Sequence, residues 1–130
     1  MPEGLQQLVG VEDRYEVNGN RSTVLRIIPP IIISEDIIAQ LKMSLMSYLN
    51  PDTSEGDLDS DYCLDFGNVT SFSSAAIGGM RLFNGKHQTL RNKPVAIAAC
   101  TGQPYTIFAG AKLITTFNFF YTLDDYKRSR

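Results

Sequence analysis

The chain has 130 residues, 43% of them hydrophobic, with a net charge of −2 and a pI near 5.3, enough for one globular domain with its own core. That balance excludes nucleic-acid binding driven by a basic surplus, and no segment reaches the roughly 20 consecutive apolar residues of a membrane helix. Met1-Pro2-Glu3-Gly4 has neither the basic start nor the apolar run of a signal peptide.

Residues 1–14 are weakly patterned and read as an N-terminal arm. Tyr15-Glu16-Val17 then enters a hairpin at Asn18-Gly19-Asn20, because Asn-Gly tolerates the positive φ of a tight turn. Ser22 to Ile28 is the second strand, stopped by Pro29-Pro30. Ile31-Ile32-Ile33 fits either a strand extension or a packed connector. Ser34 caps the first helix, with Glu35 and Asp36 in the first turn, where the helix dipole favours acids. Its apolar residues Ile37, Ile38, Leu41, Leu45, Tyr48 and Leu49 share one face, and Asn50-Pro51 closes it. Residues 52–60 are an acidic surface loop whose carboxylate spacing and glycine do not match a calcium-binding EF-hand.

Tyr62 to Phe66 is a buried strand, followed by a turn and the pair Ser73-Ser74. Ala76, Ile77, Met80, Phe83, His87 and Leu90 then recur at spacings of three or four, one helical face against a core. The serines therefore stand where a strand hands over to a helix, at the positive end of its dipole, where a phosphate would be stabilised. Asn84-Gly85 falls inside this helix and is expected to bend or interrupt it. Val95 to Cys100 is a continuous apolar run, as in a strand covered on both faces. Pro104 is placed as the first residue of a short helix carrying Tyr105, Phe108, Ala111 and Ile114. Phe117 to Thr122 is the last strand, and Leu123 to Tyr126 start a final helical turn. Lys127-Arg128-Ser129-Arg130 reads as a solvated basic tail.

Strands alternating with helices imply an α/β domain with a mixed, mostly parallel sheet of four to five strands. Cys63 and Cys100 lie in apolar runs and read as small buried hydrophobes in a reduced, cytoplasmic setting rather than as a disulfide framework. Catalytic patterns are weak. Gly79 to Lys86 has one residue too many between its glycines for a phosphate-binding P-loop. His87 is the sole histidine and sits on an apolar helix face, which suits hydrogen-bonded packing. Ser74 and His87 lack the G-x-S-x-G elbow of a hydrolase. Asp65, in a strand, reads as a structural residue. No cofactor, metal site or enzymatic activity is expected.

Leu64-Asp65-Phe66-Gly67-Asn68-Val69-Thr70 followed by Ser71-Phe72-Ser73-Ser74-Ala75-Ala76-Ile77-Gly78 resembles the signature of STAS domains, the bacterial anti-sigma-factor antagonists and their relatives. Pro104, Leu113, Phe117, Phe119, Phe120 and Thr122-Leu123-Asp124-Asp125 resemble the family's closing segment. The resemblance covers residues 15–126. It implies a single STAS-like α/β domain that switches protein partners. The phosphoacceptor would fall on Ser74, with Ser73 as second choice, and the partner surface on Ser73, Ser74, Ala75, Ile77 and Gly78. The implied partners are an anti-sigma factor or related serine kinase and a phosphatase, with no nucleic acid and no membrane insertion; a homo-oligomer is compatible. Ser73 stands where the family commonly carries Asp, and Ala75 and Ala76 replace its Ser/Thr and Gly. Two other readings fit the same residues: a non-switching STAS scaffold or transporter-accessory module, and a domain binding an anion or nucleotide phosphate at the helix N-terminus.

Overall fold

The computed structural model describes residues 7–130. Its main sheet has five strands in the order β1-β2-β4-β6-β7. β1 is Val9–Val17, β2 Asn20–Ile27, β4 Ser60–Asp65, β6 Ala96–Ala98 and β7 Asn118–Phe120. β1 and β2 are antiparallel, and every other pair is parallel. Two short strands, β3 (Ile31–Ile32) and β5 (Ser71–Phe72), pair in parallel as a separate two-stranded sheet. Among the described residues, four α-helices pack with the sheets: α1 (Glu35–Ser47), α2 (Ile77–Arg91), α3 (Gly102–Gly110) and α4 (Leu123–Arg128). The chain is thus α/β with a mixed, mostly parallel sheet.

The hairpin forms as its residues dictate. Asn18 and Gly19 have φ of 54° and 81°, the double positive φ of a turn whose twist matches the strands it joins. β1 starts at Val9, however, inside the stretch read as an arm. Its register slips between Val11 and Asp13, a bulge that breaks the alternation a strand needs to be recognised. Residues 1–6 of that stretch lie outside the described residues.

Strand β4 is buried along its whole length and separates the two layers. Tyr62 and Leu64 join the large core beneath α1, α2 and α3, with Leu45, Phe83 and Phe108. Asp61 and Cys63, of opposite parity, face the other side, where Tyr126 of α4 packs on Val24, Cys63, Ala96 and Ala98. The centre of the large core is aromatic. Phe108 lies 5.4–5.7 Å, centroid to centroid, from Phe66, Phe72, Phe117 and Phe119.

Several boundaries differ from the sequence expectation. Helix α3 begins at Gly102, so Pro104 is its third residue, and it ends before Ala111 and Ile114. Helix α2 runs unbroken through Asn84-Gly85. Asn84 is buried because its amide holds two chain segments: its Oδ1 accepts from Val95 N at 2.8 Å and its Nδ2 donates to Thr116 O at 3.3 Å. The basic tail is not a solvated end. α4 extends to Arg128, Lys127 bonds Asp13 at 2.8 Å, and the Arg130 guanidinium reaches Asp61 at 2.7 Å. No helix is long and apolar enough to cross a membrane among the described residues.

Candidate functional site

The segment from β4 to α2 is built by tying a long connection to its neighbours. Phe66 N donates to Ala98 O at 2.9 Å, continuing the β4–β6 ladder. Asp65 Oδ1 then accepts from Gly67 N at 2.8 Å, a local turn that reverses the chain. Glycine suits position 67, since a Cβ there would stand 3.0 Å from that carboxylate oxygen. Asp65 itself is buried, 4.0 Å from Arg26 Nε. Thr70 and Ser71 donate to Pro30 O, and Ser73 N donates to Ile32 O at 2.9 Å.

The other edge of β5 is closed by a side chain. Gln103 Oε1 accepts from Phe72 N at 2.7 Å, and Gln103 Nε2 donates to Phe72 O at 2.9 Å. The amide stands in for a strand and fastens the first turn of α3 to β5. Phe72 is driven into the core between Phe66 and Phe108, both 5.5 Å away.

The two serines are therefore presented differently from what the sequence implies. Ser73 does not cap α2. It caps a short 3-10 turn, Ser74–Ala76, its Oγ accepting from Ala75 N at 3.1 Å while its carbonyl accepts from Ala76 N at 3.0 Å. α2 starts one turn later, with Ala76 as an N-cap that offers no side-chain acceptor. Ser74 is exposed, and its hydroxyl makes no hydrogen bond to the described residues. The Ala75 and Ala76 amides that a phosphate would need at this turn are already occupied by Ser73. Ala75 and Gly78 are exposed beside Ser74, but Ile77 is only 6% accessible and packs inward with Met80 and Phe83. Ile77 is thus a core residue and not part of a partner-facing surface.

Beside this turn runs a groove of about 360 Å³ between α1 and α2, lined by Glu35, Ile38, Lys42, Ala75, Gly78 and Gly79. The helices approach closely at Gly79, where a Cβ would meet Lys42 Cβ at 3.1 Å. A second cavity, of about 370 Å³, lies at the C-terminal ends of β6 and β7, lined by Cys100, Gly102, Tyr105, Phe119 and Tyr121. Burial pushes the Cys100 thiol up to about 12, so it is a neutral wall of that cavity and not a nucleophile. Cys63 and Cys100 are both free and buried.

Two polar centres at the opposite end of the sheet are structural. Asp61 is 1% accessible and receives Arg91 at 2.9 Å, Lys93 at 2.9 Å and Arg130 at 2.7 Å. Burial opposes its ionisation, but these three cations outweigh burial and hold its carboxyl far below the usual range. His87 is fully buried; its Nε2 accepts from Tyr62 N at 3.0 Å and its Nδ1 donates to Lys93 O at 2.8 Å. That pairing leaves a neutral ring, and desolvation lowers its pKa. In the acidic loop, Asp57 is claimed by Arg21, bidentate at 2.8 Å. No three His, Cys, Asp or Glu side chains are grouped to hold a metal among the described residues.

Sequence reasoning missed Gln103, Asn84 and Asp61 as organising residues. A polar residue at the start of a helix and one on an apolar helix face were the available signals for the first two. For Asp61, a carboxylate next to the apolar run Tyr62-Cys63-Leu64 with no local partner was the signal. No family model matches the chain, and no curated protein matches it.

Proposed function

We propose that the chain is a STAS-type regulatory module, acting as an anti-sigma-factor antagonist that binds one partner through the edge bearing Ser74 and releases it when Ser74 is phosphorylated. The observation that carries this reading is the division of labour between the serines. Ser73 is consumed as a cap, whereas Ser74 is exposed and its hydroxyl bonds none of the described residues. A kinase needs such a hydroxyl, and modifying it leaves the cap in place.

The physical effect follows from the surroundings. Phosphate adds about −1.5 to −2 charge at neutral pH. Residues 66–80 contain no charged side chain, and Lys42 in the adjoining groove has Glu35 beside it, so an interface formed there would desolvate a dianion with little to compensate it. The partner in this reading is an anti-sigma factor or related serine kinase, with a phosphatase to reset the switch, in the cytoplasm. An anion-binding role at the same turn is less favoured, because the Ala75 and Ala76 amides are already bonded.

The test is phosphosite mapping by mass spectrometry of the protein isolated from its own cells across growth phases, followed by partner binding with Ser74→Ala and Ser74→Asp. Phosphate on Ser74, with a partner held by Ser74→Ala and lost by Ser74→Asp, supports the switch. Unmodified Ser73 and Ser74 throughout would sink it and leave a constitutive STAS-type scaffold.

A further inference from the structure

The edge bearing Ser74 is longer than the turn itself. The C-terminal ends of the parallel strands β2, β4, β6 and β7 all open onto one side, and the segments that leave them share a composition. Residues 27–34, 66–80, 99–111 and 121–123 contain no Asp, Glu, Lys, Arg or His, although charged residues make up 20% of the chain. Of the large hydrophobics left exposed, Ile31 (56%), Ile33 (56%), Tyr105 (39%) and Tyr121 (79%) lie in these segments.

The segments form one continuous strip. Glu35 and Ala75 line the same groove, joining the start of α1 to the serine turn. Ile32 and Ser73 are bonded, and Gln103 joins β5 to the start of α3. Gly102, Tyr105 and Tyr121 line the cavity of about 370 Å³, joining α3 to the end of β7. The strip is bounded by acids at both ends: Glu35 and Asp36 in the first turn of α1, Asp124 and Asp125 in the first turn of α4. Among the described residues, Asp125 alone of these is paired, with Arg128. An uncharged strip with exposed isoleucine and tyrosine inside a charged rim is the anatomy of a protein interface, and the cavity walled by aromatic rings at its β7 end can take an anchor side chain.

We infer that this strip is a single docking surface for a protein partner whose contact face presents an apolar or aromatic anchor, seated between Tyr105 and Tyr121, flanked by lysine or arginine residues that meet the two acidic ends. The inference rests on the interaction reading above and adds the partner's chemistry and the β6–β7 end of the surface. A second copy of this chain is the poorer occupant, because Glu35 and Asp36 at one end and Asp124 and Asp125 at the other recur on both copies, with Lys42 the cation beside them in the groove.

The experiment places a photo-cross-linking residue at Ile33 or at Tyr121, at separate ends of the strip, and at Leu82, exposed on α2, as a control, in the source cells. The captured protein is then purified and its binding to the full chain is measured with Glu35→Lys/Asp124→Lys, with Tyr121→Ser and at two salt concentrations. The expected result is the same protein captured from Ile33 and Tyr121 but not from Leu82, with binding weakened at least tenfold by the charge reversal and by Tyr121→Ser, and weakened by salt. Different proteins at the two positions, no capture at Tyr121, capture of a second copy, or binding indifferent to the charge reversal would overturn it. If Ser74→Asp binds as wild type while the charge reversal weakens binding, the switch fails and the docking surface stands.

Discussion

Tyr62 gives its backbone N–H to His87 Nε2, 3.0 Å away, at a point of β4 where no strand takes it. The β4–β6 ladder begins one residue later, at Cys63 and Ala96. The sole histidine of the chain therefore completes the sheet from the helix layer, and it does so only as a neutral ring.

That role makes stability depend on pH. Burial lowers the folded-state pKa of His87 below its ordinary value of 6.5, so the unfolded chain binds the proton more readily. The contribution is complete above pH 6.5 and is lost as pH falls below it. Denaturant titrations at pH 7.5 and pH 5.5 should show lower stability at the acid value. In His87→Phe this segment of pH dependence disappears, while stability at pH 7.5 drops by about 1–3 kcal/mol for the orphaned Tyr62 amide.

Asp61 is the counterion of three cations contributed by α2, the following loop and the last residue of the sequence. Asp61→Asn should cost about 3–5 kcal/mol, since it leaves charges at a buried site without their partner. Arg130→Ala should cost less, because Arg91 and Lys93 remain. Since the folded carboxyl titrates below its ordinary 3.8, this stabilisation holds above that value and is lost as pH falls below it. Thermal melts of both variants check the ranking.

Phe108 meets four other phenylalanines and is fully buried. Phe108→Ala should lower stability by about 3–5 kcal/mol through lost burial and the cavity left behind. Phe108→Leu, which fills most of the space, should cost less than half of that. Urea denaturation measures both.

The two serines should separate in stability as well as in chemistry. Ser73→Ala removes the acceptor for Ala75 N and should cost about 0.5–2 kcal/mol. Ser74→Ala touches an exposed, unbonded hydroxyl and should stay within about 0.5 kcal/mol of wild type. Equal losses from both would contradict the division of labour between them.

The parts legible in the sequence are those with a local cause. Period-3.6 apolar faces marked α1 and α2, and Asn18-Gly19 marked the hairpin because both residues carry positive φ. Strand β1 was hidden by its bulge at Val11 to Asp13, where the alternation fails. β3 and β5 are two residues each, too short for any period, and exist because Ile32 and Phe72 find each other across forty residues. The same distance problem concealed the Arg130–Asp61 pair, 69 residues apart, and made the tail look solvated. At the serine turn, the cap residues were recognisable but the division into a 3-10 turn and a later helix was not. It depends on Ser73 N being held by Ile32, a contact with no sequence signature.

The Gln103 amide has a consequence for motion. Its two bonds to Phe72 are the hydrogen-bonded link between α3 and the β3–β5 pair. Losing them leaves β5 fastened to α3 by the packing of Phe72 on Phe108. Opening at that point exposes few backbone groups, so it forms a small cooperative unit of lower stability than the five-stranded sheet. Its signature is fast amide hydrogen exchange at Phe72 and Ser73 beside slow exchange at Leu64 and Ile97. Gln103→Ala should widen that gap without moving the global unfolding midpoint by more than a few degrees.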